Sequence, residues 1–314
     1  MDLQDRKELE KYLGKIDRIF GIQQFLSREI DIEDIVNYYQ DSDYGYRVFH
    51  SAAGSIHMAL NFDGVFDREG YYEQARLVNE HIKNTSGMQV LELASGKGFN
   101  SIFLSKLNPE VNFRGIDLTP RHVEVAEKQA EGIHNLHFEL GNFQDLAFDD
   151  QTFNLVFEVE SICHATDMKL ALAEAYRALK PNGKFILFDG FRKPEFDGFS
   201  DEQKIASKLV ELAMAVESPW RIDYWLELAK EIGFTVNTVD DISQAIMPNL
   251  KRFQFMARGF FKYPFLSKAI LGVLPDYLVQ NAIAGLLMPF TTVSYTHLRA
   301  HETVLDLVCR LLLE

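Results

Sequence analysis

The sequence predicts an α/β fold, in which a doubly wound, mostly parallel sheet carries N-terminal and C-terminal helical caps. Short apolar runs alternate with segments of helical periodicity between residues 87 and 241, which is the pattern of strands joined by crossover helices. A glycine-rich turn at Gly96 and Gly98 follows the first apolar run and precedes a helical segment. Together these observations predict a Rossmann-like crevice at the carboxyl ends of the strands.

Residues 1–86 are predicted to form the N-terminal cap. Apolar side chains recur every three or four residues from 3 to 28, which predicts an amphipathic helix. Asp31 or Asp34 is suited to cap a second helix. The stretch from 38 to 66 is rich in aromatic residues and histidine but has no regular period. It is interpreted either as a pocket wall or as a cap packed on the core.

Residues 87–241 are predicted to hold the sheet, preceded by a helix from Arg68 to Lys83. A turn at residues 180–183 separates the fourth helix from the fifth strand, and Thr119-Pro120 starts the helix at 121–131. The predicted strands are Gln89–Leu93, Asn112–Ile116, Leu136–Leu140, Phe153–Glu158, Lys184–Asp189 and Phe234–Val239, with helices at 100–107, 121–131, 167–179, 201–216 and 221–232 between them.

Residues 242–293 are predicted to form a helical insertion or cap. No acidic residue occurs from Ile242 to Pro275, whereas lysine and arginine interleave with aromatic residues over 251–268. Two interpretations stay open. The segment either contacts an anionic membrane and admits a lipophilic acceptor, or it is an ordinary insertion whose cations are solvated.

Residues 294–314 resemble a translated cloning or sequencing adapter and are predicted to be a non-native tail. His297, His301 and Glu302 are therefore left out of the functional interpretation, and no metal site is predicted. If so, the native last strand has been replaced or lost, which leaves an edge of the sheet that something else must cover.

The overall composition favours a small-molecule partner. The protein has 314 residues and a formal net charge of −14, which argues against nucleic acid as a partner because lysine and arginine supply most affinity for phosphates.

Cys163 and Cys309 give no disulfide framework. The charged N-terminus and the lack of a long apolar run predict a cytoplasmic protein, with peripheral membrane contact as an alternative. The sequence leaves the oligomeric state open.

The glycine-rich turn has acidic residues on both sides that indicate the kind of ligand. Glu92 ends the first strand, where an anion would repel the pyrophosphate of a dinucleotide but attract a cationic ligand. Asp117 ends the second strand, 19 residues after Gly98, at a position suited to accept hydrogen bonds from ribose hydroxyls.

The pattern Glu92-x-Ala94-x-Gly96-x-Gly98 resembles the first motif of class I S-adenosylmethionine-dependent methyltransferases. The resemblance implies S-adenosyl-L-methionine as the cofactor and a methionine-side loop made of these four residues, although the family usually has glycine in place of Ala94. The other implied cofactor-binding residues are Asp117 for the ribose, Asn142 and Phe143 beside the adenine, with Asn142 in place of the usual aspartate, and Leu118 and Glu158.

A second resemblance concerns the acceptor. The segment from Glu160 to Ala165 is similar to the Glu-Ala-x-x-His-Ala-Pro segment of sterol side-chain methyltransferases that act on carbon and, more loosely, to tocopherol methyltransferases, with Thr166 in place of proline. The predicted catalytic residues are Glu160, His164, His57 and Tyr44. Aromatic faces and a carboxylate can stabilise a carbocation, and a histidine can remove a proton.

These resemblances imply methyl transfer to a small, largely apolar acceptor, such as an isoprenoid, a sterol or a lipid-like molecule. Two alternatives stay open. One is an O- or N-methyltransferase of a polar small metabolite, in which His164 or His57 acts as general base. The other is a non-catalytic protein that binds the cofactor and serves as an interaction partner.

Overall fold

The computed structural model describes residues 3–51, 53–83, 85–216, 220–291, 293–301 and 310–312, with side chains described between 4 and 291. One sheet runs through the described part of the protein. Its strands, numbered along the sequence, are β1 (Gln89–Leu93), β2 (Asn112–Asp117), β3 (Leu136–Leu140), β4 (Phe153–Val159), β5 (Leu179–Arg192), β6 (Thr235–Asp241), β7 (Val293–His301) and β8 (Arg310–Leu312).

The order of the strands places a crevice at the middle of the sheet. The order is β3-β2-β1-β4-β5-β7-β6-β8, and the first five strands in that order are parallel. The backbone moves outward from β1 to β3 and then returns to β4 on the other side of β1. Such a reversal opens a crevice beyond the carboxyl ends of β1 and β4. The predicted doubly wound fold is therefore confirmed, and ligand binding at this edge stays a prediction.

The helices, numbered in the same way, are α1 (Leu3–Phe20), α2 (Ile22–Leu26), α3 (Ile32–Gly45), α4 (Glu73–Asn79), α5 (Phe99–Leu107), α6 (Pro120–Gln129), α7 (Met168–Ala178), α8 (Asp201–Ala213), α9 (Ile222–Ile232), α10 (Ser243–Phe260), α11 (Pro264–Leu271) and α12 (Asp276–Leu287). The helix predicted from Arg68 to Lys83 is shorter than expected, because a 3-10 turn at Arg68–Tyr72 precedes α4.

The first predicted helix is divided in two at Gly21. This glycine has a φ of 72°, in the left-handed region, so the backbone turns between α1 and α2. Asp31 caps α3, and its carboxylate accepts the Asp34 N–H while the Asp34 carboxylate accepts the Asp31 N–H. Both acidic residues therefore take part in one capping box.

The helices from the N-terminal and C-terminal regions form a shared hydrophobic core. Leu9 and Ile16 of α1 are buried in one cluster with Leu209 of α8 and with Ile283 and Leu286 of α12. Packing of this kind removes on the order of several hundred square ångströms of apolar surface from water. Each square ångström removed stabilises the folded state by roughly 25 cal/mol. The caps predicted from opposite ends of the sequence thus cover the crevice together.

The predicted turn at residues 180–183 is a bulge inside β5. Leu179 pairs with Phe153, whereas Lys184 pairs with Leu155, so the backbone loops out between these partners. Asn182 has a φ of 63°, a conformation that asparagine adopts more readily than most residues.

The edge that was expected to need a cover is occupied by residues of the predicted non-native tail. β7 lies between β5 and β6 and pairs antiparallel with both, so the edge left open in the prediction is covered. Residues 293–301 include valine, tyrosine and threonine, which are residue types common in strands. The non-native origin of residues 294–314 stays a prediction. The backbones of His297 and His301 belong to β7, while Glu302 and Cys309 lie outside the described residues.

Within the ranges given above, no helix combines the length and the apolar character that crossing a bilayer requires.

Candidate active site

The loop after β1 adopts left-handed backbone conformations at three alternate positions. Ala94, Gly96 and Gly98 have φ values of 49°, 53° and 81°. A Cβ atom at Gly98 would lie 2.5 Å from the Phe138 ring, so this glycine is required sterically. At Gly96 a Cβ atom would lie 2.9 Å from the end of the Ile56 side chain, which can shift, so glycine is favoured there mainly by the backbone conformation. Ala94 has a Cβ atom in a conformation that glycine adopts more easily, which explains why the resembled family usually has glycine there.

The Glu92 carboxylate faces helix α5. It accepts hydrogen bonds from the Asn100 amide at 3.0 Å, the Ser101 N–H at 3.1 Å and the Ser101 hydroxyl at 2.5 Å. Burial raises the pKa of Glu92 to about 7, although these hydrogen bonds act in the opposite direction. Glu92 therefore anchors the start of α5 and the loop before it, while its contact with a cationic ligand stays a prediction.

Asp117 lies on the wall of a small cavity beside this loop. One carboxylate oxygen accepts the Gly96 N–H at 2.8 Å, and the other accepts the Thr119 N–H at 2.8 Å. His122 Nδ1 lies 3.3 Å from the second oxygen. A carboxylate oxygen can accept more than one hydrogen bond, so Asp117 fits ribose hydroxyls while it also fixes the loop. The sequence analysis missed His122, which gave no motif signal.

Predicted residues from four strand ends line the same cavity. Its volume is about 70 Å³, and it is covered by Ile32, Ile35, Val36 and Tyr39 of α3. Pockets for cofactors usually measure about 300–1,000 Å³. In this structure the cavity under α3 is therefore smaller than a typical cofactor pocket. The predicted residues on the wall are Ala94, Asp117, Leu118, Asn142, Phe143, Glu160 and His164.

Asn142 differs from its expected role in one respect. Its amide oxygen, which was expected to meet an adenine amino group, accepts the Gln144 N–H at 2.9 Å. The second lone pair of that oxygen and the amide NH₂ remain suited to an adenine edge. Asn142 therefore fits the adenine end of the site while it also holds the loop after β3.

Glu158 lies beneath the loop after β4 and supports it from below. This fully buried carboxylate accepts the Ser161 N–H, the Ser161 hydroxyl and the Ile162 N–H at 3.0, 2.7 and 3.2 Å. Asp189 accepts the Cys163 N–H at 2.9 Å from the same side. Burial, together with the charge of Asp189, raises the pKa of Glu158, and burial raises the pKa of Asp189 to about 6. These two acids position Glu160 and His164.

Glu160 has the most constrained backbone on the cavity wall. Its φ is 55°, its N–H donates to the Phe188 carbonyl at 2.7 Å, and its carboxylate accepts the Met58 N–H at 2.6 Å. A left-handed conformation costs a residue other than glycine about 1 kcal/mol or more and persists only where surrounding contacts enforce it. Here those contacts direct the carboxylate toward the junction between the loop after β4 and the N-terminal cap.

His164 is held in a defined tautomer. Nδ1 lies 3.1 Å from the Ala215 carbonyl, which can only accept, so Nδ1 carries the proton. Nε2 is then an acceptor, and the Tyr39 hydroxyl donates to it across 3.0 Å. Burial lowers the pKa of His164 to about 4, so the ring is neutral at neutral pH. A neutral imidazole with an acceptor nitrogen is suited to receive a proton through Tyr39.

The structure does not bring His57 to this cavity. His57 is 3% exposed, and its Nε2 donates to the Tyr71 carbonyl at 2.8 Å. Its ring contacts Phe99, and burial lowers its pKa to about 4. His57 therefore packs in the protein core. The loop before α4, which carries His57, turns inward beneath the cap.

A second, larger cavity lies beside the first and is lined by apolar and aromatic side chains. Its volume is about 440 Å³, and Tyr44 lies on its wall. No aspartate, glutamate, lysine or arginine lines it among the described residues. Within the described residues, His50 is the only histidine on the wall of this cavity. Burial lowers the pKa of His50 to about 3, so its ring is uncharged. The cavity can thus hold an uncharged, apolar molecule.

Glu160 and the tyrosines of the cap lie between the two cavities. Glu160 lines the small cavity and holds the backbone of Met58, which lines the large one. The rings of Tyr39 and Tyr46 are stacked 6.5 Å apart, with Tyr39 on the small cavity and Tyr46 on the large one. This arrangement places a carboxylate and aromatic faces where two bound molecules would meet.

Comparisons with known proteins agree with this geometry. A methyltransferase domain model matches residues 84–233. A sterol 24-C-methyltransferase of Aspergillus fumigatus is 26% identical over 180 residues, which are 56% of this protein and 47% of that one. An S-adenosyl-L-methionine-dependent Diels-Alderase of Talaromyces variabilis is 25% identical over 273 residues, which are 82% of this protein and 91% of that one.

The similarity extends to solved structures. The crystal structure of the cyclase SpnF matches with a TM-score of 0.68 and 17% identity, covering 87% of this protein and 97% of that one, which shows a common fold. The sequence spans about half the length of the sterol methyltransferases that it matches. The motif at β1, the strand order and the domain match together identify residues 84–233 as a class I S-adenosyl-L-methionine-dependent methyltransferase domain, similar to those of the sterol methyltransferases.

Proposed function

We propose that this protein transfers a methyl group from S-adenosyl-L-methionine to a small, uncharged and largely apolar acceptor of the isoprenoid, sterol or lipid-like class. The large cavity without charged walls, beside Glu160, is the observation that carries the proposal. The names of the sterol 24-C-methyltransferase relatives support the same class of acceptor.

The residues around the small cavity fit the cofactor. Asp117 would hold the ribose hydroxyls, Leu118 and Phe143 would pack on the adenine, and the loop from Ala94 to Gly98 would surround the methionine part. The bound cofactor supplies an activated methyl group on a sulfonium that also serves as the leaving group. The protein therefore has to position the acceptor and exclude water.

Glu160 and Tyr39 are the residues that we assign to the chemistry. An alkene acceptor that takes up a methyl group carries a positive charge until it loses a proton. The Glu160 carboxylate and the faces of Tyr39 and Tyr46 would stabilise that charge. The proton would pass to Glu160, or to the Tyr39 oxygen while the Tyr39 proton moves to Nε2 of His164, and the alkene would form again.

The other predicted catalytic residues take different places in this proposal. Tyr44 contributes to the wall and opening of the acceptor cavity and not to proton transfer. His57 supports the cap from the core. A charged acceptor fits this cavity less well, because no aspartate, glutamate, lysine or arginine among the described residues lies on its wall to pair with the charge.

A second candidate is a cycloaddition in which the cofactor is bound but no methyl group is transferred. The observation in its favour is the Diels-Alderase relative, whose match spans 82% of this protein and 91% of its own length. A cavity of about 440 Å³ that folds an apolar polyene into one conformation would support such a reaction. A protein that only binds the cofactor is the third alternative.

One experiment separates these functions. The protein is incubated with cofactor labelled on the methyl group and with a neutral lipid extract, and the products are identified by mass spectrometry. The proposal expects label in a neutral, apolar product. Label found only in amines or phenols would contradict it, an unlabelled isomer of an added polyene would favour the cycloaddition, and no product of either kind would favour simple binding.

A further inference from the structure

The large cavity opens to the surface through an apolar rim. Tyr44, Phe49 and Leu274 line the cavity, yet they are 57%, 52% and 45% exposed, so they form its opening. Their sequence neighbours Val48 and Val273 are also exposed. A molecule that enters this cavity therefore passes over apolar side chains that face away from the protein.

Helix α11 extends this apolar rim outward. Phe265 is 93% exposed and Leu266 is 60% exposed in the first turn of α11, while Ile270 on the last turn lines the cavity. Exposed apolar groups of this size are uncommon when they lie together on a monomer, and they mark interaction sites. One short helix thus presents apolar side chains both to the cavity and to the surroundings.

The charges around the rim have one predominant sign. Lys251, Lys262 and Lys268 are exposed and form no ion pair among the described residues, and Arg47 and Arg252 lie beside the rim residues Tyr44 and Phe49. The acidic residues next to the rim residues in the sequence are Asp41, Asp43, which is paired with Lys97, and Asp276. In a protein with a net charge of −14, a segment from 242 to 275 without any acidic residue forms a local basic surface.

We infer that the rim residues together with α11, here called the docking face, bind the surface of an anionic lipid bilayer, from which the acceptor enters the cavity. Phe265 and Leu266 would insert among the lipids, and the lysines would lie at the level of the phosphates. A bilayer satisfies the apolar groups and the cations together, whereas a polar protein partner would satisfy only the cations. The inference extends the predicted contact at 251–268 to Val273, Leu274 and α3, and it rests on the proposed function only for the nature of the acceptor.

Leu266→Asp and Leu170→Asp form a matched pair for the test. Each leucine is the third residue of its helix, and the two are 60% and 51% exposed, but Leu170 lies on α7, far from the docking face in the sheet domain. Binding is measured by sedimentation with vesicles of phosphatidylcholine alone or of phosphatidylcholine and phosphatidylserine in equal parts, without cofactor or acceptor. Leu266→Asp should weaken binding to the mixed vesicles about tenfold or more, because it places a charge where an apolar group inserts.

The control results decide between the possible explanations. Leu170→Asp should bind as the unaltered protein does, and the unaltered protein should bind the mixed vesicles better than phosphatidylcholine alone, with affinity falling as salt rises. Equal weakening by both variants, or no difference between the two kinds of vesicle, would overturn the inference. So would a dimer in sedimentation velocity that Leu266→Asp dissociates, because the face would then be an interface between copies.

Failure of this inference differs from failure of the proposed function. With acceptor supplied in detergent, Leu266→Asp should transfer methyl groups at the unaltered rate, since Leu266 does not line either cavity. With acceptor supplied in mixed vesicles, the same variant should be slower by a factor similar to its loss of binding. If no acceptor is methylated in either form, the proposed function fails while the vesicle measurement still decides the docking face.

Discussion

Replacing Ala94 with glycine should stabilise the protein, although it removes a methyl group. The φ of 49° at this position costs a residue with a Cβ atom about 1 kcal/mol, and glycine avoids that cost. Glycine also makes the unfolded state more flexible, which lowers stability by about 0.5 kcal/mol. The difference predicts a rise of about 0.5 kcal/mol in the free energy of unfolding.

Urea denaturation followed by circular dichroism measures this change, and Ala175→Gly provides the contrast. Ala175 is fully buried in helix α7, so glycine there should lower the free energy of unfolding by about 1 kcal/mol or more. The two substitutions remove the same methyl group but should have opposite signs. A loss of stability in Ala94→Gly as large as that in Ala175→Gly would refute the strain attributed to Ala94.

Three further predictions concern the proton relay, the buried acid and the last strand. Tyr39→Phe removes the hydroxyl that donates to His164 and should lower turnover about 100-fold without weakening cofactor binding. Unchanged turnover with the same pH profile would exclude a proton relay from Tyr39 to His164. Burial raises the pKa of Glu92 to about 7 from its usual value near 4.5, so the protonated form favours folding. The stability that Glu92 contributes therefore falls as the pH rises from about 4.5 to 7. Glu92→Gln should flatten this part of the plot of unfolding free energy against pH, and an unaltered slope would contradict the assignment. A variant ending at Thr291 lacks β7 and should unfold at lower temperature and aggregate, because β5 and β6 lose the strand that lies between them. An equal unfolding temperature would show that β7 contributes little to stability.

The sequence was sufficient to predict the sheet and the crevice at the carboxyl ends of its strands. The strands at 89–93 and 136–140 have the predicted bounds, because short apolar runs between turns leave few other structures open. The glycine-rich turn predicted the crevice for a steric reason that the structure confirms at Gly98, where no Cβ atom fits.

The roles of single residues were harder to predict, because they depend on which side of a strand end a side chain faces. Glu92 and Glu158 belong to the motifs, yet both face inward and support loops. His57 lies in a motif-like segment, but its partner Tyr71 is 14 residues away in the sequence, and no local pattern shows such a contact. Only the folded structure brings Tyr39 to His164 across 125 positions.

The last strand shows a different limit of sequence analysis. The adapter-like appearance of residues 294–314 did not indicate which segment would cover the edge beside β5. The pairing of β7 with β5 and β6 uses backbone hydrogen bonds, which any segment without proline can form, so the sequence of the tail gave no signal for it.

The central claim is that Glu160 acts on the acceptor at the junction of the two cavities and takes no part in holding the cofactor. Its most direct test is Glu160→Gln, which keeps the size of the residue and an oxygen that can accept the Met58 N–H. Cofactor affinity by calorimetry and transfer of labelled methyl groups are measured together, with Glu139→Gln at an exposed surface position as the control. We predict unchanged cofactor affinity and turnover lower by about 100-fold in Glu160→Gln alone. Full turnover, or loss of cofactor binding in place of turnover, would contradict the account.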